Sequence, residues 1–282
     1  MKRCLILALL AFAACRHDNF QQDEEKWRAE RRTRLTSDSS WLTLVGLHWL
    51  QPGANDITIA GKLPLTVRFV LGNGVVSVEP HPQISIDGKP VTMPAPLADD
   101  TNPRGPTIVK AGTRSMQVIK RNDRFAIRAK DTQSAARREF KGLDYFPANE
   151  KYRVEARFEP YNPPKKIPIT NVLGMTSDEV SPGALVFTID GTEYRLDPIL
   201  EQGEKDLFVI FKDATAGHET YGAARYLYAS PAVNGKTIVD FNHAYNPPCA
   251  FTPYATCPLP PPQNRLPVRI EAGEKKYAGG HG

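Results

Sequence analysis

The segment DFNHAYNPPCAFTPYATCPLPPPQNRLPVRIEAGE, residues 240–274, is the stretch around which the rest of the chain is organised. It contains eight prolines, two cysteines, two tyrosines, three asparagines and one histidine. Proline lacks an amide hydrogen and fixes φ, so the runs of proline exclude a helix or a central strand. Aromatic and apolar residues interleave with the prolines, which is not typical of disorder. The pattern predicts an ordered loop fixed to a β framework.

The two cysteines of this segment, Cys249 and Cys257, have seven residues between them. In an oxidising compartment such a pair predicts a disulfide within the loop, which would contribute roughly 2–3 kcal/mol. Two free buried thiols are an alternative, as is a Cys249 nucleophile activated by His243 and oriented by Asp240 or Asn242. A zinc site is disfavoured, because zinc cysteines are usually two to four residues apart and four ligands are needed. We therefore expect no metal and no cofactor.

The chain begins MKRCLILALLAFAAC, in which a basic start, an apolar core and two small residues precede Cys15. This order predicts a signal peptide over residues 1–14, with an apolar run too short to cross a bilayer. The last four residues resemble a bacterial lipobox, so Cys15 is the predicted lipidation site. Phe12 departs from the usual leucine, which leaves ordinary cleavage after Ala14 open. We expect acyl chains on Cys15 to hold the protein on a membrane of the bacterial envelope, with a soluble body in the periplasm or outside the cell.

The overall composition excludes some classes of partner. A net charge of +5 over 282 residues gives no electrostatic argument for nucleic acid. The sequence contains no Walker loop, dinucleotide-binding glycine pattern, Gly-x-Ser-x-Gly elbow or His-Glu-x-x-His helix, which argues against common enzyme classes. Composition leaves the oligomeric state open.

Short strands are predicted over most of the chain after residue 41. Apolar and polar residues alternate from Leu65 to Leu71, which is typical of a strand with one buried face. The dipeptides Asp87-Gly88, Asn122-Asp123 and Asp190-Gly191 lie between such runs and predict hairpins. Before them, residues 20–35 predict a charged helix whose large apolar residues are Phe20, Trp27 and Leu35.

These patterns predict a mostly β fold: an N-terminal helix, then an antiparallel β-sandwich, then a barrel-like β unit closed by the proline-rich loop. After the signal peptide, the predicted divisions are the lipid site, tether and helix (15–40), the sandwich (41–138) and the barrel-like unit (139–282), which contains the loop 240–274.

Two blocks carry a resemblance to a known family. The stretch KDATAGHETYGAARYL (residues 212–227), followed by residues 240–274, resembles the bacterial and archaeal family catalogued as domain of unknown function sixteen-eighty-four. The likeness covers roughly Trp41 to Tyr277. It implies that these segments form one unit with the final block as its signature, and it supplies no reaction, substrate or cofactor. Family members without a signal peptide imply that the cysteine pair also has a role that needs no disulfide.

The polar residues of the two blocks predict a pocket for a small ligand under the loop, where a few fixed polar groups lie among aromatic rings. The candidate ligand-binding residues are Tyr221, Arg225, Asp240, Asn242, Tyr245, Asn246, Asn264, Arg265 and Glu274. The alternative is that these groups satisfy the backbone of the loop itself, with Arg225 in an ion pair with Asp240 or Glu271.

Function is therefore predicted only in broad terms: an uncharacterised envelope lipoprotein that binds a small molecule or an envelope component. One alternative is a hydrolase whose acid and base groups come from Asp213, Asp240, His243 and Glu271, because carboxylates in one pocket can have separated pKa values. The other alternative is a structural or assembly protein of the envelope.

Overall fold

The structure is a computed structural model that describes residues 2–61, 63–201 and 203–279, with side chains described from residue 19 onward. The side chain of Cys15, the predicted lipidation site, lies outside the described part. The chain folds into two units. In the described part of the chain, the sandwich unit comprises residues 35–141, 251–256 and 279, and the curled-sheet unit comprises residues 2–34, 142–250 and 257–278.

The described residues of the sandwich unit form ten strands and one short α-helix. The strands are β1 Leu44–Trp49, β2 Gly53–Ile59, β3 Leu65–Gly72, β4 Val75–Val78, β5 Ser85–Ile86, β6 Lys89–Pro90, β7 Ala95–Leu97, β8 Val109–Ala111, β9 Arg114–Arg121 and β10 Arg124–Asp131, and the helix is α2 Ala135–Arg138. One sheet has the order β1-β10-β9-β8-β5-β6 and the other has the order β2-β3-β4-β7. Inward residues of both sheets, such as Val67, Phe69, Val118 and Ile127, share one core. The predicted antiparallel sandwich is confirmed.

The three predicted hairpins are also confirmed. Asp87 connects β5 to β6, Asn122 connects β9 to β10, and Asp190 precedes the strand formed by Thr192–Leu196. Each of the three has φ of 50° or 51°. Asp and Asn tolerate this left-handed conformation better than most residues, and the tight two-residue hairpin turn requires it.

The curled-sheet unit contains most of the long helix and, in its described part, six strands. The elements are α1 Lys2–Thr36, β11 Arg153–Thr170, β12 Thr176–Ile189, β13 Thr192–Leu196, β14 Leu207–Phe211, β15 Arg225–Ala229 and β16 Lys236–Asp240. One sheet has the order β13-β12-β11-β16, and β14 pairs with β15. The predicted barrel-like unit is a sheet that curls into a half-barrel. Phe187, Val209, Phe211 and Phe241 lie in its core.

The segment 240–274 has more regular structure than its prolines predict. It contains single-turn 3-10 helices at Phe241–His243, Pro248–Ala250 and Pro262–Asn264. The prediction that the prolines exclude a helix was therefore wrong for these short turns. A single turn tolerates proline at its start, because the first amide hydrogens of a helix have no partner within it. Backbone hydrogen bonds between Tyr226 and Tyr245 fix the segment to β15. Among the described residues, no helix is both long enough and apolar enough to cross a membrane.

Candidate functional site

One face of α1 carries charged residues into the curled-sheet unit. Phe20, Glu24, Trp27 and Arg31 follow one another at three- or four-residue spacing, which places them on one side of a helix. Glu24 is only 2% exposed and Arg31 is 9% exposed. The sequence predicts an apolar stripe here, but the structure buries an acid and a base on the same face.

Glu24 meets two residues of the segment 240–274. Asp240 ends β16 and His243 lies in the 3-10 turn that follows it. One donor atom from each of Glu24, Asp240 and His243 lies within 4.8 Å of the other two. His243 Nε2 is 3.0 Å from Glu24 Oε1, and the indole of Trp27 stacks on the imidazole with ring centroids 4.6 Å apart. We call Glu24, Asp240 and His243 the Glu24 cluster.

Two buried polar atoms of the Glu24 cluster have no hydrogen bond to any described residue. They are Oε2 of Glu24 and Nε2 of His243. The His243 nitrogen is close to the other carboxylate oxygen, but the two are not aligned as a hydrogen bond requires. Buried polar atoms in native proteins nearly always have a partner, so this pair of atoms requires an explanation.

Asp240 is held from two directions. Its Oδ1 accepts hydrogen bonds from the backbone nitrogen of Asn242 at 3.0 Å and from Asn242 Nδ2 at 2.9 Å. Its Oδ2 is 3.5 Å from Nε of Arg153. Burial raises the pKa of Asp240 and the nearby carboxylate of Glu24 adds to this effect, whereas His243 and the bonds from Asn242 oppose it.

A groove of about 400 Å³ lies beside the Glu24 cluster on the same unit. We call it the α1 groove; it is lined by Asn19, Phe20, Asp23, Glu150, Arg153 and Ile238. Arg153 connects the groove to the cluster, because its side chain lines the groove and also reaches Asp240. A ligand in the groove would therefore contact a side chain that also contacts Asp240.

Arg225, a predicted ligand-binding residue, belongs to a buried structural network. Its Nη2 is 3.0 Å from Asp213 Oδ1 and donates to the carbonyl of Ile270, also at 3.0 Å, while Nη1 donates to the carbonyl of Ala272. Asp213 in turn accepts a hydrogen bond of 2.7 Å from the nitrogen of Ile270. The partner of Arg225 is thus Asp213, and the expected pairing with Asp240 or Glu271 was wrong. Burial lowers the pKa of Arg225, and the charge of Asp213 opposes that effect.

The asparagines of the segment also bond the backbone of their own unit. Asn242 donates to the carbonyl of Asn149 and accepts from its nitrogen, each at 3.0 Å. Asn264 donates to the carbonyls of Asp197 and Ile210, each at 2.9 Å. These contacts match the alternative in which the polar residues satisfy the backbone around the loop.

Asn246 and Glu274 form a second buried group with α1. Glu274 Oε1 is 2.7 Å from Nε of Arg31, and its Oε2 accepts from both nitrogens of Asn246. The guanidinium of Arg31 lies 4.6 Å from the ring centroid of Tyr245. This group fixes α1 against the segment 240–274, and Oδ1 of Asn246 is its buried side-chain oxygen without a hydrogen-bond partner among the described residues.

The remaining predicted residues lie apart from one another. Tyr221 donates to the carbonyl of Cys249 at 3.2 Å, and Arg265 is exposed. Glu271 is exposed in an ion pair of 2.8 Å with Arg269. Of the four predicted acid and base residues, Asp240 and His243 come together, whereas Asp213 and Glu271 have other partners.

Residues 138–275 match the family described as Protein of unknown function (DUF1684). An uncharacterised protein of Haloarcula marismortui, known from a solution NMR structure, is 33% identical, with 49% of this chain and 78% of that chain covered and a TM-score of 0.42. The chain belongs to the DUF1684 family. The family match confirms the resemblance carried by residues 212–227 and 240–274. No curated protein matches the chain.

The signature cysteines of this DUF1684 chain lie close together as thiols. Cys249 and Cys257 are not bonded in the structure, and the backbone nitrogen of Cys249 donates to Sγ of Cys257 at 3.0 Å. The hydrogen bond from the Cys257 thiol lowers the pKa of Cys249, whereas burial raises that of Cys257. The disulfide stays a prediction, which the contact between the Cys249 nitrogen and the Cys257 sulfur favours.

Sequence reasoning missed Glu24, which belongs to the site although it precedes the part of this DUF1684 chain that matches the family. The spacing of residues along the predicted helix could have identified Glu24. Four residues separate Glu24 from Phe20 and three separate it from Trp27, so an ideal helix directs all three toward the same side. An acid at that position of a buried stripe is a candidate functional residue.

Proposed function

We propose that this DUF1684 protein is an envelope lipoprotein that binds a cationic ligand at the Glu24 cluster, with the α1 groove as the approach. The observation that carries the proposal is Glu24, a carboxylate that is 2% exposed and has one oxygen without a hydrogen-bond partner among the described residues. A buried carboxylate without full compensation is costly, so a bound cation would stabilise the site.

The charges around the site favour a cation. The α1 groove has two acids, Asp23 and Glu150, against one base, Arg153. Glu24 and Asp240 add two carboxylates in the neighbouring cluster, where Arg153 of the groove contacts Asp240. Phe20 and Ile238 supply apolar surface in the same groove, which suits a ligand with both a charged and an apolar part.

The predicted lipid anchor would bring this site close to a membrane. Asn19, the first residue of the α1 groove, follows Cys15 by four residues. At the rise of an α-helix this separation is about 6 Å along the axis. A tethered protein with this geometry would collect its ligand at the membrane surface.

The experiment is a calorimetric titration of the full-length protein, purified in detergent. The probes are phenethylamine, its neutral analogue phenethyl alcohol, and Zn²⁺. We expect at least one cation to bind, no binding of the alcohol, and weaker cation binding in Glu24→Gln. Glu25→Gln is the matched control, because Glu25 is the next residue on α1 and is exposed. Binding of neither cation, or equal binding by both variants, would contradict the proposal.

A hydrolase at the same cluster is a second candidate. The observation in its favour is that Asp240 and His243, two predicted acid and base residues, lie together with a third titratable group. A pH–rate profile on ester, glycoside and phosphate substrates tests it, with Asp240→Asn as the inactive variant. Absence of turnover across that panel would count against catalysis and leave the binding function in place.

A further inference from the structure

We infer that the Glu24 cluster is a binding site for one divalent transition-metal ion, with Zn²⁺ as its representative. Glu24, Asp240 and His243 would each supply one ligand atom. The inference rests on the proposed function, since it names the class of cation that the site takes. It differs from the sequence-based expectation that the protein holds no metal.

The spacing of the donor atoms fits a shared ion. Zinc binds imidazole nitrogen and carboxylate oxygen at about 2.0–2.2 Å in tetrahedral geometry, so two ligand atoms on one ion lie roughly 3.3–3.6 Å apart. The three donors of the cluster lie within 4.8 Å of one another. Side-chain rotations that bring the most distant donors roughly 1 Å closer would complete the coordination.

The unpartnered atoms point to a metal rather than to a simple ion pair. A neutral His243 whose Nε2 lone pair faces Glu24 would be repelled by the carboxylate 3.0 Å away. If Nε2 carries a hydrogen instead, the N–H direction is not aligned with Oε1, and Oε2 would still have no partner among the described residues. An ion between the imidazole and the carboxylates gives Nε2 of His243 and an oxygen of Glu24 a partner at the same time.

The surroundings of the cluster resemble the supports of a metal site. Asn242 holds Asp240 with two hydrogen bonds, and the Trp27 ring lies parallel to that of His243 with 5° between the planes. Such outer contacts orient ligands and are a regular part of metal sites. Three protein ligands would leave a further position for a molecule in the α1 groove.

The two carboxylates and the imidazole of the cluster favour some metal ions over others. Two carboxylates balance the charge of a divalent cation, and one imidazole favours zinc and its transition-metal neighbours over Mg²⁺ and Ca²⁺, which prefer oxygen ligands. Arg153 is a competing cation, at 3.5 Å from Asp240 Oδ2. Its side chain is 52% exposed, so it can turn toward solvent when an ion binds.

The test uses the full-length protein in detergent, stripped with a chelator and titrated with Zn²⁺ alone, with Mg²⁺ for comparison. We expect one Zn²⁺ per chain and much weaker Mg²⁺ binding. Removing a ligand should weaken Zn²⁺ binding by roughly 100-fold or more in Glu24→Gln and in His243→Gln, since even outer contacts are worth about 10–100-fold. Glu25→Gln should bind like the wild type. Circular dichroism checks that each variant is folded, and Asp240→Asn replaces any that is not.

The cysteines require their own control, because thiolates also bind zinc. Co²⁺ in place of Zn²⁺ should show absorption typical of nitrogen and oxygen ligands, without a thiolate charge-transfer band, and Cys249→Ser should bind Zn²⁺ normally. Zn²⁺ binding that is lost only in Cys249→Ser, or that is equal in wild type and Glu24→Gln, overturns the inference. If phenethylamine binds but Zn²⁺ does not, this inference fails and the proposed function stands; if neither binds, both fail.

Discussion

Burial alone does not identify a functional residue in this protein, as a comparison of Arg225 with Glu24 demonstrates. Both side chains are almost inaccessible, at 1% and 2% exposure. Arg225 is paired with Asp213 and donates to two backbone carbonyls, so its charge is compensated although its Nε has no hydrogen-bond partner among the described residues. Oε2 of Glu24, an oxygen of a buried carboxylate, has no such partner either, and no described backbone group bonds to it. We therefore assign Arg225 to the stability of the fold and Glu24 to the site.

Replacing Arg225 by Met should destabilise the protein without acting on the Glu24 cluster directly. Removal of one partner leaves the charge of Asp213 buried and uncompensated, which costs about 3–5 kcal/mol. The loss should appear as an apparent Tm lower by roughly 10 °C in thermal unfolding followed by circular dichroism.

The matched control for Arg225→Met is the double variant Asp213→Asn/Arg225→Met, which leaves no unpaired charge. It should recover part of the lost stability, because the neutral pair removes the cost of the buried carboxylate. An Arg225→Met protein with an unchanged melting curve would contradict the structural role and make Arg225 a ligand-binding candidate again.

At the scale of elements, the sequence predicts those strands and turns that depend on neighbouring residues. The strand β3 follows from the alternation between Leu65 and Leu71, and the hairpins follow from dipeptides that tolerate positive φ. Contacts between distant segments have no such local signal. Glu24 and His243 are more than two hundred residues apart in the chain, so only the folded protein places them together.

The segment 240–274 combines local sequence signals with contacts to distant parts of the chain. We predict that its two cysteines form a disulfide. Protein exported to the bacterial periplasm should have a denatured mass two hydrogens below that of the reduced chain, because Cys249 already lies against the sulfur of Cys257. Intact mass spectrometry with and without reductant measures this. The bond should add roughly 2–3 kcal/mol to the free energy of unfolding, as expected for a short closed loop.

The double variant Cys249→Ser/Cys257→Ser is the control for the disulfide. Its unfolding in denaturant should not respond to reductant, whereas that of the wild type should. Two alkylatable thiols in the exported wild-type protein would contradict the disulfide and favour the free thiols that the structure contains.

At the scale of the whole molecule, fold and family follow from patterns spread over the chain, but function depends on a few atoms. Alternation and turns repeat many times, so errors at single positions do not change the predicted fold class. The site depends on three side chains, and one of them lies outside residues 138–275, which match the family. Belonging to the DUF1684 family therefore does not by itself imply the Glu24 cluster, and relatives without an equivalent of α1 should lack it.

We predict that acylation of Cys15, four residues before the α1 groove begins, holds the protein on a membrane. If residues 1–14 are removed and Cys15 is acylated, the wild type should fractionate with membranes, and its N-terminal peptide should carry the mass of the acyl chains. Cys15→Ser should lose the acyl chains and leave the membrane fraction, because the remaining chain would have no lipid anchor. Cys4→Ser is the matched control, since Cys4 lies within the predicted signal peptide and its loss should leave the anchor intact. Wild-type protein that is soluble and begins at an unmodified Cys15 would instead support ordinary cleavage after Ala14, and would place the α1 groove on a protein free to diffuse.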